Sequence, residues 1–123
     1  MAGASMGFHE DEQFLSDELK DRHRVIVSIM EELEAVDWYD QRVAAATDPE
    51  LAAVLAHNRD EEKEHAAMAL EWLRRHDVKW DEMLRRYLFA DGPILEVEEH
   101  ATGGDPAGSS DLGVGDLGGG SNL

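Results

Sequence analysis

The residues of this 123-residue chain best suited to chemistry are Glu62-Lys63-Glu64-His65. On a helix, a carboxylate and an imidazole three residues apart share one face. A Glu-x-x-His pair therefore offers one oxygen and one nitrogen donor to a common metal ion. No other histidine has this partner: the residues three before the other five are Met6, Lys20, Val54, Leu73 and Val97. A further acid, Glu32, interrupts a stripe that is otherwise Ile29, Val36, Tyr39 and Val43 at steps of three and four residues. Metal ligation is the chemistry these types and spacings allow, provided that the chain brings them together.

The elements that must do so are helices. From Asp11 to about Ala46 there is no Pro or Gly, and Glu, Leu, Ala and Arg abound. In Thr47-Asp48-Pro49-Glu50, Thr47 reads as a helix cap, Pro49 suits a first turn, and Glu50 completes a capping box. The break predicts a second helix from Pro49 to about His76. A third is expected from Val78 to Phe89, with Trp80, Met83, Leu84, Tyr87 and Leu88 on one face. Asp91-Gly92-Pro93 stops it. Ile94 to His100 is open between irregular chain and one or two helical turns. Nothing alternates like a half-buried strand, so the predicted class is all-α, a two-helix antiparallel hairpin plus a short C-terminal helix. Eight of the 11 glycines lie between Thr102 and Leu123, which hold no aromatic or basic residue. The expected organisation is a flexible N-terminus at 1–8, a helical domain at 9–100, and a disordered tail at 101–123.

Along the hairpin the inward stripe of the first helix reads Ile29, Glu32, Val36, Tyr39, Val43. That of the second reads Leu51, Leu55, Asn58, Glu62, His65, Ala69, Trp72. Counted from Asp48, Glu32 is 16 residues back, while Glu62 and His65 are 14 and 17 forward. At about 1.5 Å per residue they stand roughly 24, 21 and 26 Å from the turn, which is one level. A carboxylate in a core seam is costly unless paired or metal-bound. Carboxylate-bridged di-iron bundles use a Glu from each of two helices and Glu-x-x-His from each of two more. This chain carries one of each, which is half a site. A hairpin also leaves much of its apolar stripe wet, so two hairpins joining into a four-helix bundle is the expected solution.

Charge and composition exclude other classes. With 28 acidic and 11 basic side chains the formal charge is −17, which repels nucleic acid and favours cations. No run reaches the roughly 18 apolar residues of a membrane span. There is no Cys, which rules out thiolate ligands and fits a cytoplasmic location. No secretory h-region stands in the first 20 residues.

Arg22-His23-Arg24, the run Met-Glu-Glu-Leu-Glu-Ala-Val-Asp-Trp-Tyr-Asp-Gln-Arg from Met30 to Arg42, and His57-Asn58-Arg59-Asp60-Glu61-Glu62-Lys63-Glu64-His65 resemble the encapsulated ferritins. These are truncated ferritin-like proteins held inside encapsulin shells. The resemblance implies a ferroxidase that oxidises Fe(II) with O2 at a di-iron centre formed between two chains, two irons per dimer. Glu32, Glu62 and His65 match its ligand positions. It further implies an annular decamer, mineral storage left to the shell, and an outer metal site at Glu31 and Glu34. Tyr39, one seam step beyond Glu32, could donate a hydrogen bond to the centre, and Trp38 shares the face of Glu31 and Glu34. The tail segment Leu112-Gly113-Val114-Gly115-Asp116-Leu117 is similar to the encapsulin targeting peptide, with Leu112, Val114 and Leu117 as apolar anchors and Asp116 where Ser is common. Two other readings stand beside this one. The chain could be a non-catalytic iron- or manganese-binding helical module, or a helical adaptor cargo whose seam acids pair with Lys or Arg. Neither seam contains a basic residue.

Overall fold

The computed structural model describes residues 7–104. A one-turn 3-10 helix, Glu12–Phe14, is followed by four α-helices: α1 (Asp17–Ala45), α2 (Pro49–Arg75), α3 (Val78–Tyr87) and α4 (Ile94–Gly104). There is no strand among the described residues. The chain divides into two units, one ending at His76 and one beginning at Asp77.

The first unit is the hairpin of α1 and α2. Its first helix begins at Asp17, six residues later than the run of helix formers suggested. Ser16 takes an extended conformation and its hydroxyl accepts from the Leu19 amide at 3.1 Å. Asp17 and Glu18 follow in the first turn, where the helix dipole favours negative charge. The upstream residues form the separate 3-10 turn, capped by Asp11. At the bend, the cap of α2 is Asp48 and not Thr47. The Asp48 carboxylate accepts from the Leu51 amide at 2.9 Å, and Pro49 takes the first helical position, where its missing N–H is not needed.

At the far end of α2, Glu71 accepts from Arg74 at 2.8 Å and from Arg75 at 2.6 Å. These two guanidinium groups hold its carboxyl down at about 2. A depressed carboxyl pKa adds stability above the unfolded value near 4.5, lost as pH falls through 4.5 towards 2. The trio is partly exposed and solvent screens it. Glu71→Gln is therefore expected to lower stability at pH 7 by under about 1 kcal/mol. Thermal melts at pH 7 and pH 2 should show that difference vanishing at the lower value.

Burial in the hairpin is sparse, as expected of a lone pair of helices that leaves much of its apolar stripe wet. Leu73 alone is buried among the described residues, at 2% exposure. Ile26, Leu33 and Trp38 on α1, and Leu51, Val54 and Met68 on α2, are all exposed. Glu32 and Glu62 are half-buried rather than buried, with 26% of each side chain exposed. Two antiparallel helices touch along one line only, so each seam residue has neighbours on one side.

In the second unit α3 carries the predicted face, with Met83, Leu84 and Tyr87 half-buried and Trp80 and Leu88 exposed. It ends at Tyr87 rather than Phe89. Phe89 adopts a left-handed φ of 63°, and the Ala90 amide donates to the Tyr87 carbonyl at 3.3 Å. Gly92 follows at φ 89°, a value that suits a residue without Cβ. The stretch after Pro93 is helical and continues to Gly104, past the expected end at His100. The tail residues Leu112, Val114 and Leu117 lie outside the described residues.

Candidate metal centre

Glu32 projects from the middle of α1, and Glu62 and His65 from the middle of α2. One donor atom from each lies within 4.8 Å of the others. His65 Nδ1 is 3.4 Å from Glu62 Oε1 and 3.7 Å from Glu32 Oε1. Ligand atoms about 2.0–2.2 Å from one ion are at most about 4.4 Å apart, so small side-chain adjustments close this set around a cation. No Lys or Arg reaches either carboxylate among the described residues. A hydrogen bond with the Glu62 carboxyl, then burial, then the Glu62 charge push the Glu32 carboxyl above the usual carboxylate range, and His65 opposes them. Two carboxylates and an imidazole, one acid tending to hold a proton, form a site that gains from a divalent cation. Two hard oxygens and one nitrogen suit Fe(II) or Mn(II) better than soft metals.

A carboxyl whose pKa rises on folding weakens the metal-free protein at neutral pH, and the penalty shrinks as pH falls through the raised value and is gone below the ordinary value of 4.5. Glu32→Gln removes the repulsion. It should raise the metal-free melting temperature by a few degrees at pH 7, an order-of-magnitude shift for well under 1 kcal/mol in a domain of this size. The same variant should no longer be stabilised by added divalent metal. Calorimetric scans with and without chelator read both effects.

The other expected site residues are placed differently. Glu31 and Glu34 are exposed on α1 and do not join the donor cluster. Tyr39 is half-buried and Trp38 exposed, and the Arg42 guanidinium lies 5.3 Å and 5.9 Å from their ring centroids. Trp38, Gln41 and Arg42 line an open depression of about 350 Å³. The cation–π stack was readable from the i, i+3 and i, i+4 spacing of Tyr39, Trp38 and Arg42. His57 turns to Glu61 at 3.4 Å, His23 rests on the Phe8 ring, and His76 stacks on Trp72. None of these three imidazoles enters the donor set. A contact not anticipated from the sequence links the helices nearer the bend. Arg59 on α2 donates through Nη1 to Asp40 on α1 and through Nε to Asp60, both at 3.1 Å.

A ferritin-like helical hairpin with a Glu on one arm and Glu-x-x-His on the other defines the class, and the chain belongs to the EncFtn-like family, the encapsulated ferritins, whose profile matches residues 7–91. The chain is 62% identical to an encapsulated ferritin-like protein of Rhodospirillum rubrum, over 95% of this chain and 91% of that protein. It is 50% identical to a ferritin-like protein of Thermotoga maritima, over 87% of this chain and 94% of the other. A crystal structure of a protein from Nitrosomonas europaea superposes with a TM-score of 0.68 at 62% identity, covering 72% of this chain and 97% of that one. No described helix is long and apolar enough to cross a membrane.

Proposed function

We propose that this protein is a ferroxidase: it oxidises Fe(II) to Fe(III) with O2 at a di-iron centre shared between two copies of the chain. The observation that carries the reading is the convergence of Glu32, Glu62 and His65, with no basic partner on either acid among the described residues. Two copies about a two-fold axis supply four carboxylates and two imidazoles, the complement of a carboxylate-bridged di-iron bundle. Four negative charges match two divalent cations. The exposed apolar residues of α1 and α2 give the second copy its surface. When both are bound, two adjacent ferrous ions supply O2 with two electrons together, avoiding a one-electron superoxide step.

In this reading Glu32, Glu62 and His65 of both copies would hold the two irons, the carboxylates as oxygen donors and the imidazoles as nitrogen donors. Glu31 and Glu34 form an outer acidic site that raises local cation concentration near the access path. On this reading Tyr39 would donate a hydrogen bond to the centre, and Trp38 would stand with Glu31 and Glu34 on the outer face of α1. A decamer built from such dimers and a cytoplasmic setting carry over from the resemblance, and the word encapsulated in the name of the Rhodospirillum rubrum relative supports a place inside an encapsulin compartment. Leu112, Val114 and Leu117 would dock the tail on the shell, which stores the ferric product and holds the enzyme at high local concentration.

The test is O2 consumption after Fe(II) addition, followed to many equivalents per pair of chains. Sustained consumption is the ferroxidase result. Consumption that stops after one filling would make the protein a binding module for iron or manganese. Absence of metal binding would leave a helical adaptor cargo.

A further inference from the structure

Resting on the metal-centre reading, we propose that Arg59 is a positioning residue. Its clamp onto Asp40 sets the register of α1 against α2 and so holds Glu32 opposite Glu62 and His65.

The need for such a device follows from the hairpin. Its helices are joined only through the bend before Pro49. The donors stand 14 to 17 residues from Asp48, roughly 21–26 Å away at about 1.5 Å per residue. Between bend and donors the seam is mostly aliphatic, with Val36, Val43 and Leu55 half-buried and Tyr39 and Asn58 as its two members that carry a polar group. Apolar contact is non-directional. It resists separation of the helices better than sliding or rolling of one on the other, while a metal site needs its donors placed to a fraction of an ångström.

Arg59 supplies the missing direction. Counted from Asp48, Asp40 is eight residues back and Arg59 eleven forward. The mismatch is closed by geometry. Cβ bonds tilt toward a helix's own N-terminus. On α2 that is toward the bend, and on α1 it is away from it. The two side chains therefore lean toward each other and meet at 3.1 Å. The guanidinium is itself fixed from behind, because Nε donates to Asp60 at 3.1 Å. A planar fork can serve two acceptors in set directions, whereas an ammonium is a point charge. Arg59 is half-buried, three residues before Glu62 on the same rigid helix, so its position is transmitted to the Glu62 and His65 backbone. Asp40 is eight residues beyond Glu32 on α1 and transmits it to that ligand. Solvent-screened ion pairs add little to stability. The effect of this one falls on ligand placement.

The test uses the full chain and Co(II) as an air-stable probe, read by titration and by its visible absorption, alongside thermal melting of the metal-free protein. His65→Ala identifies the Co(II) signal that belongs to the centre. Arg59→Met is expected to weaken that Co(II) binding about tenfold, the lower end of what loss of ligand-orienting partners costs. The absorption envelope should change, while the metal-free melting temperature stays within about 2 °C, as for a surface pair. Asp40→Asn should give the same loss, and Arg59→Met with Asp40→Asn together should give no more than either alone. Arg59→Lys, which reaches Asp40 without bracing on Asp60, should recover only part of the affinity. Additive losses from the two positions overturn the clamp, as does Co(II) affinity within twofold of the parent for Arg59→Met. So does a melting temperature that falls in step with affinity, since Arg59 would then be structural. If His65→Ala binds Co(II) like the parent, the metal-centre reading itself fails and the positioning role falls with it.

Discussion

Replacing any one of Glu32, Glu62 and His65 by Ala should reduce Fe(II)-dependent O2 consumption by at least about 100-fold. Loss of groups that only orient ligands already costs about 10–100-fold in metal affinity or activity, and each of these side chains offers one ligand atom to a cluster of three. In a two-fold assembly one substitution removes two donors from the centre. Helix content should survive, because all three positions lie inside long helices and Ala is the strongest helix former. Glu64→Ala is the matching control. Glu64 is an exposed acid on the same turn of α2, outside the donor set, and its loss should leave the rate within about twofold. An oxygen electrode and far-UV circular dichroism on the four variants read the outcome. A His65→Ala protein that keeps its rate would remove the imidazole from the mechanism.

Metal should also hold the folded assembly together. A single copy of the chain has one buried side chain among its described residues, and Glu32 is pushed above the usual carboxylate range by Glu62. A cation that binds only the folded, paired form stabilises it by mass action, by about 2.7 kcal/mol at one hundred times its dissociation constant. For a domain of this size each kcal/mol moves the melting temperature by roughly 4–8 °C. Saturating Fe(II) without oxygen, or Mn(II) in air, should raise it by about 10–20 °C on that arithmetic. Chelator should reverse the gain, and both Glu32→Gln and His65→Ala should abolish it. A parent protein that melts at the same temperature with and without metal would contradict this linkage.

The helices and the donor triad were legible in the sequence because both rest on a constant rise per residue. Counting from Asp48 puts Glu32, Glu62 and His65 at one level whatever the side chains do, and the structure brings their donor atoms within 4.8 Å. Local competition was harder to read. Thr47 and Asp48 are both good caps, and the arbiter is Pro49, whose place in the first helical position makes its immediate predecessor the cap. Ser16 was hidden in a run without Gly or Pro, yet its hydroxyl starts α1. The left-handed turn at Phe89 has no Gly to announce it. Periodicity marked the apolar face and the thinness of a lone hairpin said that one chain cannot cover it, so Leu51 on the second stripe stays exposed; the degree to which Glu32 and Glu62 are covered was not readable, because it depends on neighbours outside the stripe. The Arg59–Asp40 bond was missed because the two residues count to different heights, and only the opposed tilt of side chains on antiparallel helices joins them.

The central claim is that one chain carries half of an iron centre and a second copy completes it. Native mass spectrometry of the full-length protein, before and after anaerobic Fe(II) addition, tests this most directly, since it weighs chains and metals together. The expected spectrum shows assemblies with an even number of chains carrying two irons per pair, and no iron on residual single chains. Single chains that each retain iron, with no change in assembly on loading, would contradict it.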